Sequence, residues 1–145
     1  MEFNVEQIKK YSKEFVGEIN NLLKQLNEAS SPLEENGLKA FLASPASRLF
    51  AAKKLYDEKI IGMVTLVVIS TPFGKKGLLE AIVVDRKYRG HGIATKLIDT
   101  LVNQARKEGV SHIDFTSNPK RVEANRLYEH LGFEKRNTNV YRLHI

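Results

Sequence analysis

The apolar run Ala81-Ile82-Val83-Val84-Asp85 leads within a few residues to Arg89-Gly90-His91-Gly92-Ile93-Ala94-Thr95, where a helical periodicity opens. A strand that passes through a small-residue loop into a helix packs that helix back on its sheet, so the chain is committed to an α/β layer. Glycines open backbone conformations that aim several N–H groups at one point. The first turn of a helix adds unsatisfied donors and the positive end of its dipole. The segment is therefore a phosphate site in outline. The plainer alternative is that Gly90 and Gly92 only make a tight turn.

The surrounding pattern supports a mixed layer. Phe15, Ile19, Leu22, Leu23 and Leu26 recur at helical spacing and predict an amphipathic helix from Tyr11 to Leu26. Ser31-Pro32-Leu33-Glu34 reads as a capping box that starts a second helix, which stops before Ser44-Pro45. Arg48 to Tyr56 and Lys59 to Ser70 read as a hairpin turning at Asp57-Glu58, and a loop from Thr71 to Gly77 leads to a strand from Leu78 to Asp85. Helix is expected from Gly90 to Glu108, closed by Gly109. A strand from Val110 to Thr116, a helix from Asn118-Pro119 to Leu131 and a strand from Thr138 to His144 complete the order. We expect one domain over residues 1–145, since this length suits one hydrophobic core.

Composition removes several chemistries. The absence of cysteine excludes a disulfide scaffold, a thiolate metal site, a redox dithiol and a cysteine nucleophile. No metal site is expected, because His91, His112, His130 and His144 include no pair spaced for one helix face. The longest apolar stretch, Ile60 to Ser70, is shorter than the roughly 20 residues of a membrane span. The start of the chain shows no signal-peptide pattern, so a cytoplasmic protein without a membrane partner is expected. The net charge of +6 leaves a polyanionic partner open.

Two phosphate motifs are excluded at the glycine loop. A dinucleotide fingerprint needs a third small residue where Thr95 stands, and a triphosphate loop needs Gly-Lys-Ser or Gly-Lys-Thr. Arg89-x-x-Gly92-x-Ala94 behind an apolar strand instead resembles the coenzyme A signature of the GCN5-related N-acetyltransferase (GNAT) family. Asn125-Arg126-Leu127-Tyr128-Glu129-His130-Leu131-Gly132-Phe133 is similar to that family's Asn-x-x-Tyr-x-x-x-Gly-Phe segment. The resemblance is strong from Leu78 onward, and the first 45 residues match only as a two-helix start.

The resemblance implies a GNAT-like α/β fold: a mostly antiparallel sheet, a splayed parallel pair at the cofactor site and about four flanking helices. It also implies acetyl transfer from acetyl-CoA to a primary amine by direct attack in a ternary complex. By position, the N–H groups of Arg89, Gly90, His91, Gly92, Ile93, Ala94 and Thr95 would hold the pyrophosphate. The main chain of Ile82, Val83 and Val84 would pair with the pantetheine arm as an added strand. Asn118 and Asn125 would hydrogen-bond the arm's other side. The acceptor amine must lose a proton before it attacks, and Glu80 is the candidate base, against a solvent-facing glutamate at a strand end. The departing thiolate wants a proton donor, and Tyr128 offers a phenol that stays protonated at neutral pH, against simple packing. Asn125 and the Gly132-Phe133 context favour the functional role for Tyr128.

The family sets its acceptor through the first two helices, the loop with Lys75 and Lys76 and the last strands, so the acceptor stays unassigned. A homodimer through the terminal strand is one arrangement the resemblance allows. A coenzyme A-binding module without catalysis is the alternative. A nucleic-acid binder lacks any reader motif or aromatic platform. Between Arg86 and Arg126 nine Lys and Arg stand against four Asp and Glu, so the positive excess concentrates where a phosphate-bearing cofactor would sit.

Overall fold

Apolar and polar residues alternate through Phe-Asn-Val-Glu-Gln-Ile, and this period-two pattern forms the first strand, β1 (Phe3–Ile8). The first element expected from the sequence is the helix at Tyr11, so this strand is an addition to that order. The computed structural model describes all 145 residues, Met1 to Ile145. They divide into two compact units, Met1–Phe115 and Thr116–Ile145.

In the first unit β1 is followed by α1 (Lys13–Leu26), α2 (Glu35–Ala43), β2 (Ser47–Lys54), β3 (Ile60–Thr71), β4 (Gly74–Val84), α3 (Ile93–Lys107) and β5 (Ile113–Asp114). The sheet runs β1-β2-β3-β4-β5 in chain order. The first three pairings are antiparallel, and β4 with β5 is parallel. The expected mixed sheet with one parallel pair is therefore present. That pair consists of only Gly77 opposite Ile113 and Leu78 opposite Asp114.

The sheet is covered on both faces. Ile19, Leu22 and Leu38 from α1 and α2 pack with Leu49, Ala51, Met63 and Val83 in one core cluster. Gly62, one residue from Met63, turns to the opposite face. A β-carbon there would meet Ile93 at 3.1 Å and Leu97 at 3.3 Å, so glycine lets α3 seat closely on β3. Leu97, Ile98 and Leu101 of α3 are fully buried.

Two local expectations in this unit need correction. The capping box at Ser31 does not form, and α2 begins at Glu35 with no side-chain cap. The Asn20 carboxamide accepts from the Leu33 N–H at 2.7 Å and donates to the Leu33 carbonyl at 2.8 Å. With both backbone groups of Leu33 engaged across to α1, the helix starts later. The expected loop from Thr71 to Gly77 shrinks to a turn at Pro72-Phe73, because the β3–β4 ladder continues to Thr71 opposite Gly74. A Thr71 side chain that accepts from the Phe73 N–H and donates to the Gly74 carbonyl closes this turn.

The second unit holds α4 (Val122–His130) and an exposed segment from 134 to 145. The strand expected from Thr138 to His144 is absent. No ladder partner meets this segment, and an extended chain without a partner gains no cross-strand bonds.

Candidate active site

β4 carries an irregularity that its sequence does not announce. Val83 lies opposite Met63 and Glu80 opposite Thr65, so β4 spans three residues where β3 spans two. The extra residue is a β-bulge, and Ala81 sits within it at φ 50, the left-handed region. Since opposed residues share a face, Glu80 lies on the same face as Thr65, Met63 and Val83, the face that α1 and α2 cover. Its side chain is exposed. Because the ladder to β5 ends at Leu78, the main chain from Glu80 to Val84 has no strand beside it on that edge.

Beyond β4 the chain makes one 3₁₀ turn (Arg86–Tyr88), capped by Asp85, whose carboxylate accepts from the Lys87 N–H at 3.0 Å. The Arg89 Nε–H then bonds back to the Val84 carbonyl at 3.2 Å. His91 Nδ1 lies 3.0 Å from the Tyr88 carbonyl and 3.1 Å from the Arg89 carbonyl. Two carbonyls accept only from a protonated Nδ1, which fixes the tautomer and makes His91 a brace within the loop. Gly90 at φ 80 and Gly92 at φ 76 adopt the conformation that glycine favours, and a β-carbon on either would project into open space.

Gly92 is the N-cap of α3, and the first intrahelical bond runs from the Lys96 N–H to its carbonyl at 3.1 Å. The N–H groups of Ile93, Ala94 and Thr95 thus point out of the helix end without helical acceptors. No acidic residue stands in the first turn. The first unit therefore brings Glu80, Ile82 to Val84 and Arg89 to Thr95 onto one strand–loop–helix connection.

Asn118, Asn125 and Tyr128 lie in the second unit. The Asn118 side-chain oxygen accepts from the Lys120 N–H at 2.9 Å. Asn125 Nδ2 donates to the Asn118 and Arg121 carbonyls, both at 2.9 Å. The two asparagines thus fix the entry to α4 and leave the Asn118 amide hydrogens and the Asn125 side-chain oxygen for further bonds. Tyr128 is buried, with the Phe133 ring edge-on at 6.4 Å and its own carbonyl accepting the Phe133 N–H at 3.0 Å. Burial pushes its phenol above the ordinary value, and the charge and hydrogen bond of Arg121 oppose that shift in part. The hydroxyl is therefore protonated at neutral pH.

Sequence reasoning missed the bulge and the contacts that hold the loop from α1. Alanine gives no positive-φ signal. Asn21 and Gln25, which reach Asp85 and Arg86, look like ordinary solvent-facing polar residues.

Together these features define an α/β protein with an open, acid-free helix N-terminus beside a bulged strand. Residues 14–133 match the model described as the acetyltransferase (GNAT) family, and the chain belongs to that family. Human N-acetyltransferase 8B is 28% identical over 107 residues, 72% of this chain and 46% of that protein. The chain spans less than half the length of the curated relatives it matches. An acetyltransferase from Trypanosoma brucei aligns with a TM-score of 0.80 at 23% identity, covering 99% of this chain and 100% of that one. AAC(6')-Iy, solved with the bisubstrate analog CoA-S-monomethyl-acetylneamine, aligns with a TM-score of 0.79 at 19% identity over 100% of both chains. At these identities the two structures speak for the fold.

The family uses acetyl-CoA, and the residues present suit it. Two left-handed glycines with open space above them, an acid-free helix start and outward N–H groups match a pyrophosphate. The free edge of β4 matches an extended chain of amides. No helix is long and apolar enough to cross a membrane, and no cluster of metal-ligating side chains is present.

Proposed function

We propose that this chain is an acetyl-CoA-dependent N-acetyltransferase that transfers the acetyl group to a primary amine by direct attack within a ternary complex. The observation that carries the proposal is the left-handed Gly90 and Gly92 opening α3 beside the free, bulged edge of β4, in a chain of this family. In this reading the N–H groups of Arg89 to Thr95 bind the pyrophosphate, and the main chain of Ile82 to Val84 pairs with the pantetheine arm. Asn118 and Asn125 bind the arm's amides with their remaining polar groups. Acetyl-CoA supplies the activated acetyl group as a thioester. Glu80, exposed on the α1–α2 face, takes the acceptor's proton directly or through water. Tyr128 holds its proton at neutral pH and donates it toward the departing sulfur. One domain over residues 1–145, a cytoplasmic location and a homodimer paired through the segment from Arg136 to Arg142 belong to the same proposal; fractionation and light scattering test the last two.

The test mixes the purified chain with acetyl-CoA and a panel of small amines, polyamines and peptides and measures thiol release. Acetyl-dependent release with one acceptor class supports the reading. CoA binding with no release across the panel supports the non-catalytic module instead.

A further inference from the structure

Four polar side chains of α1 bond outside their own helix. Glu18 accepts from the Ile60 N–H at 3.2 Å, and Asn20 clamps Leu33 through both its backbone groups. The other two reach the start of the phosphate loop. Asn21 Nδ2 donates to the Asp85 carboxylate at 3.4 Å, and the Gln25 side-chain oxygen accepts from the Arg86 N–H at 2.9 Å. Asn21 and Gln25 stand four residues apart, which aligns them on one helix face.

The residue that Asn21 holds is unusual for its position. Asp85 is 4% exposed, one of two buried polar residues in the chain. Its backbone is tied down as well, with its N–H on the Ile61 carbonyl at 2.8 Å and its carbonyl accepting from Tyr88 at 2.9 Å. From there the Lys87 N–H caps on the carboxylate and Arg89 bonds back to Val84. The chain between β4 and Gly90 is thus fixed from two sides, by the sheet and by α1. Glycine permits the Gly90 and Gly92 conformations without selecting them, so aiming the loop falls to its flanks.

We propose that Asn21 and Gln25 are positioning residues for the phosphate loop. Through Asp85 and Arg86 they fix where the N–H groups of Arg89 to Thr95 point. They touch no phosphate themselves and act only through the loop. The inference rests on the cofactor reading for its consequence in CoA affinity, but the fixing of the loop can be measured without any ligand.

The experiment compares the full-length chain with the double variant Asn21→Ala/Gln25→Leu, with Gln25→Glu, and with the control pair Glu18→Ala/Asn20→Ala, which removes the other outward bonds of α1. Two quantities are measured: amide hydrogen exchange over residues 86–95 in the free protein, and CoA affinity by calorimetry. In the double variant exchange at 86–95 should quicken by about tenfold while the core of β3 stays protected. CoA affinity should fall by about tenfold, with kcat at saturating acetyl-CoA changed by less than about twofold. Gln25→Glu keeps an oxygen for the Arg86 N–H and should retain most of the affinity. The control pair lowers the melting temperature without quickening exchange at 86–95. Equal exchange in the double variant and the control overturns the proposal, as does unchanged exchange in the double variant. A wild-type chain with no CoA affinity refutes the cofactor reading, and the exchange comparison still decides the role of Asn21 and Gln25.

Discussion

Arg48 at the start of β2 grips Glu108 just past the end of α3 through two hydrogen bonds, Nε to Oε2 at 3.1 Å and Nη2 to Oε1 at 2.6 Å. Both side chains are 20% exposed, so solvent screens the pair only in part. The Arg48 hydrogen bond holds the Glu108 carboxyl below its ordinary value, against the opposing effect of burial. A carboxylate with a depressed folded pKa adds stability above its unfolded value of about 4.3 and loses it as pH falls through the folded value. Glu108→Gln should cost about 1–2 kcal/mol at pH 7. Urea unfolding at a series of pH values checks this, and the gap to wild type should close below pH of about 4.

Ala81 is held left-handed inside the bulge of β4. A β-branched side chain tolerates that region worst, so Ala81→Val should destabilise by about 1–3 kcal/mol or flatten the bulge. A flattened bulge shifts the register between Val83 and Glu80 and turns Glu80 to the other face. Chemical denaturation together with NMR cross-strand contacts from Thr65 distinguishes the two outcomes.

Gly92→Ala tests the loop. A methyl there meets no atom of the chain, so its cost in the free protein is conformational strain alone, roughly 1–2 kcal/mol. The same methyl enters the space assigned to phosphate, so CoA affinity should drop by at least about tenfold, or about 1.4 kcal/mol. A variant that loses stability and keeps its affinity would remove the loop from the cofactor site.

Tyr128→Phe keeps the ring beside Phe133 and removes only the hydroxyl. If that hydroxyl delivers the proton, kcat should fall by about 10²-fold or more while CoA affinity moves by less than about twofold. Burial moves the phenol upward, so the alkaline limb of wild-type kcat should lie above pH of about 10. Stopped-assay rates from pH 6 to 11 measure both.

The glycine loop was legible in the sequence because its geometry is local: Gly90 and Gly92 take left-handed backbone and open α3 within one stretch of chain. The bulge was not, since Ala81 carries no mark of the backbone it adopts and its register depends on β3. The Ser31 signature misled because a competing partner, Asn20, lies across the α1–α2 connection and takes Leu33 first. β1 was readable by alternation, but the helical stripe from Phe15 onward drew the boundary instead. The segment from Thr138 to His144 has a strand's composition without a neighbouring edge, and pairing is decided by neighbours.

The two-residue pairing of β4 with β5 has a thermodynamic consequence. A molecule that bonds along the free edge from Glu80 to Val84 does so only in the folded chain, and folding and binding then draw on the same backbone groups. At a ligand concentration a hundred times its dissociation constant, that linkage adds about 2.7 kcal/mol to the free energy of unfolding. Under such binding the melting temperature becomes a function of what pairs along that edge, and sheet completion becomes a concentration-dependent event.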